Sequence, residues 1–242
     1  MYTFDSRIRY SEVDKNAELT LESLIDYFQD CSTFQTQDGP ADMEYLRSRG
    51  MVWVLNSWQI EVKRYPRLCE RVTIGTIPHE IKGYFGVRNF FMKTREGEML
   101  AMANSFWTLL DIEKGLPCKV TDEIVEAYPL EPRLDMEYRD RKIRIPAEAE
   151  KIPAEEILVR RHHLDTNNHV NNGQYVRMAI DCLSDKDRNV YSMRAEYKKQ
   201  ALLGDTLYPE VYKVKDGDKR QFVVDLKDAD GKSVCAVELL TC

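Results

Sequence analysis

LDTNNHVNNGQY, residues 164–175, sets one carboxylate, one imidazole and five amide side chains within twelve positions. Asp165, Asn167 and His169 alternate, and an apolar pattern follows at Tyr175, Val176, Ala179, Ile180 and Leu183. That spacing predicts a helix with one apolar face, capped by Asn171 or Asn172. A polar cluster of this density is costly to bury without partners, so it is either a solvated loop or a built site.

The stretch has an earlier copy. With Asp165 set on Asp14, an offset of 151, VDKNAELTLESLIDYFQDC aligns without a gap on LDTNNHVNNGQYVRMAIDC. Asp14/Asp165, Asn16/Asn167, Asp30/Asp181 and Cys31/Cys182 coincide, and the apolar period is shared. Further on, IEVKRYPRLCE matches AEYKKQALLGD at offset 135, and KTREGEMLA matches KDADGKSVC at offset 134. The drop in offset places about sixteen extra residues in the first copy, around TQDGPADMEYLRSRG.

Each copy reads as strand, helix, then several strands. In the second, EEILVRRHH is expected to be a strand, and VYSMRAEYK, DTLYPEVYKV, RQFVVDLK and SVCAVELLT form alternating runs with turns at DGD and DADGK. The first repeats this with WVLNSWQIEVK, RVTIGTI, YFGVRNFFMK and MLAMANSFWTLLD. One helix and a long antiparallel sheet per copy predict an α+β fold in which the helix buries against the sheet. The expected division is a first unit at 1–132, a charged, proline-bounded connector at 133–152, and a second unit at 153–242 that carries the motif.

Composition narrows the function. The chain has 242 residues, 43% hydrophobic and 31% charged, with a formal net charge of -6. That acidic balance argues against general nucleic-acid binding, which needs a basic face. No apolar run approaches the roughly twenty residues that span a bilayer. MYTFDSRIRY lacks the apolar core of a secretion signal, and the six cysteines form no C-x-x-C pair, so reduced thiols and a cytoplasmic location are expected. His79, His162, His163 and His169 show no metal spacing.

The motif D-x-N-x-H-V-N-N-x-x-Y at 165–175, the preceding repeat, RYP at 64–66 and NSFW at 104–107 resemble the acyl-acyl-carrier-protein (acyl-ACP) thioesterase family of plants and bacteria, over nearly the whole chain and in the same order. The resemblance implies a double hotdog fold, hydrolysis of fatty acyl-ACP to free fatty acid in fatty acid biosynthesis, and no metal or organic cofactor. It also implies that Asp165, Asn167 and His169 are catalytic. The family's fourth catalytic position, a glutamate followed by cysteine, falls on Gln200 and Ala201, where this chain departs. Glutamine cannot ionise and alanine has no thiol, so a cysteine nucleophile is excluded there, and Gln200 is left to hold a water or a carbonyl.

For thioester hydrolysis the candidate general base is Asp165 or His169, with Asp165 the expected one, Asn167 the residue that orients water or carboxylate, and His169 then the group that bonds substrate or protonates the departing sulfur. The free N–H groups at the start of the following helix would face a developing oxyanion. Aspartate and asparagine before a helix are also ordinary caps, and the repeat sharpens this point. Asp14 and Asn16 persist in the first copy, whereas Glu18 stands for His169 and Leu21 for Asn172. One active site per chain is therefore expected, with Met51, Trp53, Leu55, Trp58, Ile25, Tyr27 and Phe28 as candidates to line an acyl pocket or simply to form core.

The partner implied is acyl carrier protein, which is acidic. Arg160-Arg161, Lys198-Lys199 and the run Arg139, Arg141, Lys142, Arg144 are candidate contacts or solvated faces. An acyl-CoA thioesterase and a non-catalytic acyl-binding module are the alternatives on the same fold. A chain holding two copies needs no twin, so a monomer suffices and a homodimer is possible.

Overall fold

The computed structural model describes residues 1–216 and 219–241. The chain divides into two compact units, 1–58 with 63–138 and 59–62 with 139–242. In chain order the first elements are β1 (Tyr2–Arg7), α1 (Leu21–Gln37), α2 (Met43–Ser48), β2 (Met51–Val62), β3 (Arg71–Lys82), β4 (Phe85–Thr94), β5 (Met99–Asp111), β6 (Leu116–Pro117) and α3 (Asp122–Ala127). There follow β7 (Glu150–Ile152), β8 (Ile157–Leu158), α4 (Asn172–Asp181), β9 (Val190–Tyr197), β10 (Thr206–Asp216), β11 (Lys219–Lys227) and β12 (Ser233–Thr241).

In the first unit the strands run in the order β1-β3-β4-β5-β2, with β6 on β5. The helix α1 begins where the Thr20 hydroxyl accepts the Ser23 N–H at 3.2 Å. It buries Leu21, Leu24, Ile25, Tyr27, Phe28 and Cys31, the spacing of one helical face. Phe28, Trp58 and Phe90 meet with ring centroids 4.9–6.1 Å apart, so these aromatics are core. The extra segment of the first copy holds α2, capped by the Asp42 carboxylate on the Tyr45 N–H at 2.7 Å. With Leu46, Leu109, Val120, Ile124 and Tyr128, it forms a second apolar cluster.

The second unit has the order β9-β12-β11-β10-β7, with β8 also on β10. Here α4 buries Gly173, Tyr175, Val176, Met178 and Ala179. Two prolines inside strands sit where a missing N–H costs no ladder bond. Pro209 of β10 falls between the partners of β8 (Thr206, Leu207) and those of β7 (Val211 to Lys213). Pro78 of β3 lies beyond the reach of β1 and at a bulge against β4.

Most strands form where the alternation predicts them, and β5 and β12 do so residue for residue. EEILVRRHH differs: only Ile157 and Leu158 pair, and a 3-10 turn at Arg161–His163 follows, because His163 Nδ1 accepts the Arg160 N–H at 3.0 Å and turns the chain. The turn expected at 216–218 falls on Gly217 and Asp218, outside the described residues. No helix among the described residues is long and apolar enough to cross a membrane.

Between the two copies the chain runs without long elements and is held by buried polar side chains. The Asn89 amide, fully buried, donates to the Ala103 carbonyl at 3.1 Å and accepts from the Leu134 N–H and the Tyr138 hydroxyl, both at 2.9 Å. In the second unit, Glu238 takes Arg194 through both oxygens and Arg139 at 2.8 Å. Burial alone would raise the Glu238 carboxyl, but Arg194 and Arg139 hold it below its ordinary value.

Two stability predictions follow from this packing. Asn89→Ala leaves buried partners unbonded and is expected to cost about 2 kcal/mol or more in urea unfolding, against under ~0.5 kcal/mol for an exposed alanine substitution. Asp26, on α1, has its carboxyl pushed up to about 6 by burial and then by Glu22, Asp30 and Glu12. A folded-state value above the ordinary one means this group favours folding below about pH 4 and loses that contribution as pH rises through about 6. Asp26→Asn should therefore raise the urea midpoint near neutral pH and change it little near pH 4; equal effects at both would assign the titration elsewhere.

Candidate active site

The motif is built on an eight-residue loop, 164–171, between the 3-10 turn and α4. Leu164 bridges Val170 across it. The Asp165 N–H donates to the His169 carbonyl at 2.8 Å, and the Asn168 N–H to the Asp165 carbonyl at 3.1 Å. A single carboxylate oxygen then closes the loop, since Asp165 Oδ1 accepts the N–H of Asn167 at 2.8 Å and of His169 at 3.2 Å. Asn168 takes a left-handed φ of 61°, which asparagine tolerates better than most side chains. Asp165 and His169 are half-buried, and Asn167 is exposed.

The helix that follows is tied to this loop. Asn171 is the cap, its side-chain oxygen accepting the Gly173 N–H at 2.8 Å, and its own N–H donates to the His163 carbonyl at 2.9 Å. The Tyr197 hydroxyl donates to the Asn172 carbonyl at 3.0 Å, which fixes the first turn from β9.

Gln200 reaches the same place through the chain that leaves β9. The Val170 N–H donates to the Ala201 carbonyl at 3.1 Å, His169 bridges Leu202, and the Ala201 N–H donates to the Tyr175 hydroxyl at 2.8 Å. The fold thus brings Asp165, Asn167 and His169 onto one loop and sets Gln200 one residue from the segment bonded to it. The Gln200 side chain is exposed and lines an open cleft of about 210 Å³ with Lys199, Asp205, Leu207 and Asp228, a cleft whose lining does not include Asp165, Asn167 or His169.

The first unit reproduces this backbone nearly bond for bond. Asp14 Oδ1 accepts the N–H of Asn16 at 2.8 Å and of Glu18 at 3.0 Å, Ala17 has φ 61°, and Thr20 caps α1. The Leu19 N–H donates to the Pro66 carbonyl at 2.9 Å, as Val170 does to Ala201. One difference is direct: Asn16 Nδ2 donates to Asp14 Oδ2 at 3.2 Å, whereas Asn167 makes no such bond among the described residues. In the second unit the second carboxylate oxygen is left clear of the loop's own donors.

Among the described residues, no thiol is poised to act as a nucleophile beside this loop. Cys182 ends α4 with its sulfur 3.2 Å from the Met178 carbonyl, and burial pushes its pKa up to about 11. Burial likewise raises Cys31 to about 12, and the fully buried Cys235 well above its ordinary value. Tyr175 and Tyr197 are also pushed up by burial, so both remain protonated anchors. Sequence reading treated Tyr175 as an apolar helix position and gave Tyr197 and His163 no part. For His163 a signal existed in the alignment, where it stands opposite Glu12.

Comparison with known proteins accords with this architecture. Residues 1–128 match the model of the acyl-ACP thioesterase N-terminal domain, and residues 147–239 that of the C-terminal domain. The oleoyl-acyl carrier protein thioesterase 1, chloroplastic, of Arabidopsis thaliana is 28% identical over 193 residues, covering 73% of this chain and 53% of that protein. The chain spans about half the length of the curated relatives it matches. Among solved structures, an acyl-ACP thioesterase from Bacteroides thetaiotaomicron superposes with a TM-score of 0.87 at 21% identity, covering 98% of this chain and 96% of that one. A 12:0-ACP thioesterase from Umbellularia californica gives 0.80 at 20% identity, covering 98% and 95%. At these identities the structural likeness establishes the double hotdog fold.

Proposed function

The chain belongs to the acyl-ACP thioesterase family, and we propose that it hydrolyses the thioester of a fatty acyl chain carried on acyl carrier protein, releasing free fatty acid and the holo-carrier. The observation that carries this reading is the loop of Asp165: one carboxylate oxygen fixes the backbone while the other is clear of the loop's own donors, in the one unit that also has His169. A half-buried carboxylate held this way can take a proton from water without losing its position.

In the proposed reaction, Asp165 accepts a proton from a water whose oxygen bonds to the thioester carbonyl carbon. The carbonyl oxygen becomes negative and is stabilised by donors from the His169 side chain and the start of α4. Collapse breaks the C–S bond, and the thiolate leaves with a proton returned from Asp165 or His169. Asn167 orients the water, and Gln200 supports it as a neutral hydrogen-bonding group. Five free cysteines among the described residues support a reducing, cytoplasmic setting.

Two measurements test this. Matched acyl chains on carrier protein and on CoA should show higher kcat/KM for the carrier form; a clear preference for CoA would overturn the carrier assignment, and no hydrolysis of either would leave an acyl-binding module. Asp165→Asn keeps an oxygen for both loop N–H groups but cannot act as base. It should lower turnover by ~10²-fold or more with a thermal midpoint near wild type, while Asp14→Asn should leave turnover unchanged. Wild-type rates in Asp165→Asn would remove Asp165 from the chemistry.

A further inference from the structure

The turn that follows Gln200 is built twice, with the same bonds and different side chains. In the first unit, 67–70 closes with the Glu70 N–H on the Arg67 carbonyl at 2.9 Å and the Arg67 N–H on the Glu70 carboxylate at 2.8 Å. In the second, 202–205 closes with the Asp205 N–H on the Leu202 carbonyl at 3.1 Å and the Leu202 N–H on the Asp205 carboxylate at 2.8 Å. Cys69 and Gly204 hold the same place in the two turns, with left-handed φ values of 69° and 88°. Leucine is therefore not what makes the turn, because arginine builds it at the matched position.

Each turn lies across from the motif loop of its own unit. Glu18 bridges Arg67 in the first, and His169 bridges Leu202 in the second. Residues opposite each other in an antiparallel bridge set their side chains on one face, with Cβ atoms about 5 Å apart. The first unit uses that closeness for charge: Arg67 Nε lies 3.9 Å from Glu18 Oε1, in an exposed ion pair. In the second unit an imidazole is opposite a leucine instead, and the His169 ring makes no hydrogen bond or ion pair among the described residues. Leu202 and Leu203 are exposed at the tip, although what leucine contributes to a fold is burial. Neither the turn nor the core accounts for a leucine at 202.

Resting on the acyl-carrier reading above, we propose that Leu202 is a positioning residue of the reaction: it keeps the His169 imidazole out of the cross-strand ion pair that the first unit makes, so that the ring N–H is left for the thioester. A carboxylate opposite the ring would favour imidazolium and occupy that N–H, and a guanidinium there would oppose the charged ring that protonates the departing sulfur. Leucine does neither. The other titratable groups bonded into these segments are Asp165 in the loop, Asp205 in the turn and the Tyr175 hydroxyl of α4, which accepts the Ala201 N–H. Both carboxylates are engaged by backbone N–H groups, so the charge at 202 is the variable that the bonds of the loop and turn leave open.

The test places each charge at 202 in the full chain and follows the pH dependence of kcat/KM on an acyl carrier protein substrate at low salt. Leu202→Glu should move the profile to higher pH and Leu202→Arg to lower pH, each by about half a unit, with Leu202→Gln unmoved and high salt cancelling both shifts. Residue 202 is exposed, and the matched turn holds an arginine, so all three variants should keep a thermal midpoint near wild type. Arg67→Leu, which breaks the pair of the first unit, should leave rate and profile unchanged. Shifts of one sign for both charges, a Gln variant that shifts as Glu does, or no shift in any variant would overturn the proposal. The ring signals of His169 in isotope-labelled protein, assigned by their loss in His169→Gln, are titrated alongside. Opposite displacements of those signals with an unmoved rate profile also overturn it, since the charge of the imidazole would then play no part in the reaction. If no thioester is hydrolysed, the acyl-carrier reading fails, and opposite displacements of the ring signals still keep Leu202 as the residue that leaves His169 unpaired. Ring signals that ignore the charge at 202 sink the proposal whatever the activity.

Discussion

Two backbone N–H groups converging on Asp165 Oδ1 hold the rest of the site in place. They fix the spacing of Asn167 and His169, and the same loop delivers the Asn171 N–H to His163 and the Val170 N–H to Ala201. A buried or half-buried N–H without an acceptor is costly, so the loop has one low-energy form while this carboxylate is present. Asp14 does the same work where no histidine follows. The carboxylate is thus first a structural element, and its second oxygen is what the chemistry can use.

Conservation of geometry with divergence of chemistry runs through the molecule. Both units set a capped helix on an antiparallel sheet, yet the first carries an aromatic core of Phe28, Trp58 and Phe90 plus the extra α2, while the second carries the imidazole. Duplication frees one copy from keeping every functional side chain, provided the bonds that shape the loop survive. Glu12, Glu18, Glu22 and Asp26 give way to His163, His169, Gly173 and Arg177 at the matched positions, which expresses that freedom as charge on one backbone.

Buried polar side chains decide how the irregular chain between the copies lies. Asn89 satisfies Leu134 and Tyr138, and Glu238 binds Arg139 and Arg194 at once. Such groups give one arrangement an advantage because the alternatives strand a donor or a charge. Burial has a matching effect on the cysteines beside the helices, which it keeps protonated and inert.

The sequence by itself determined the repeat, the helix over the sheet and nearly every strand, because hydrophobic period and turn residues are local properties that the final packing reinforces. It also singled out Asp165, Asn167 and His169, since their alternation stands out against an apolar frame. What only the tertiary structure decided was non-local. That Ala201, thirty-one residues beyond Val170, supplies its acceptor depends on how β9 returns to the loop. EEILVRRHH turns after Leu158 because one His163 nitrogen competes for the Arg160 N–H, and a propensity for strand contains no such term. The dual duty of Asp165 likewise appears only when partners are counted in space, since a hydrogen bond belongs to two residues and a sequence shows them one at a time.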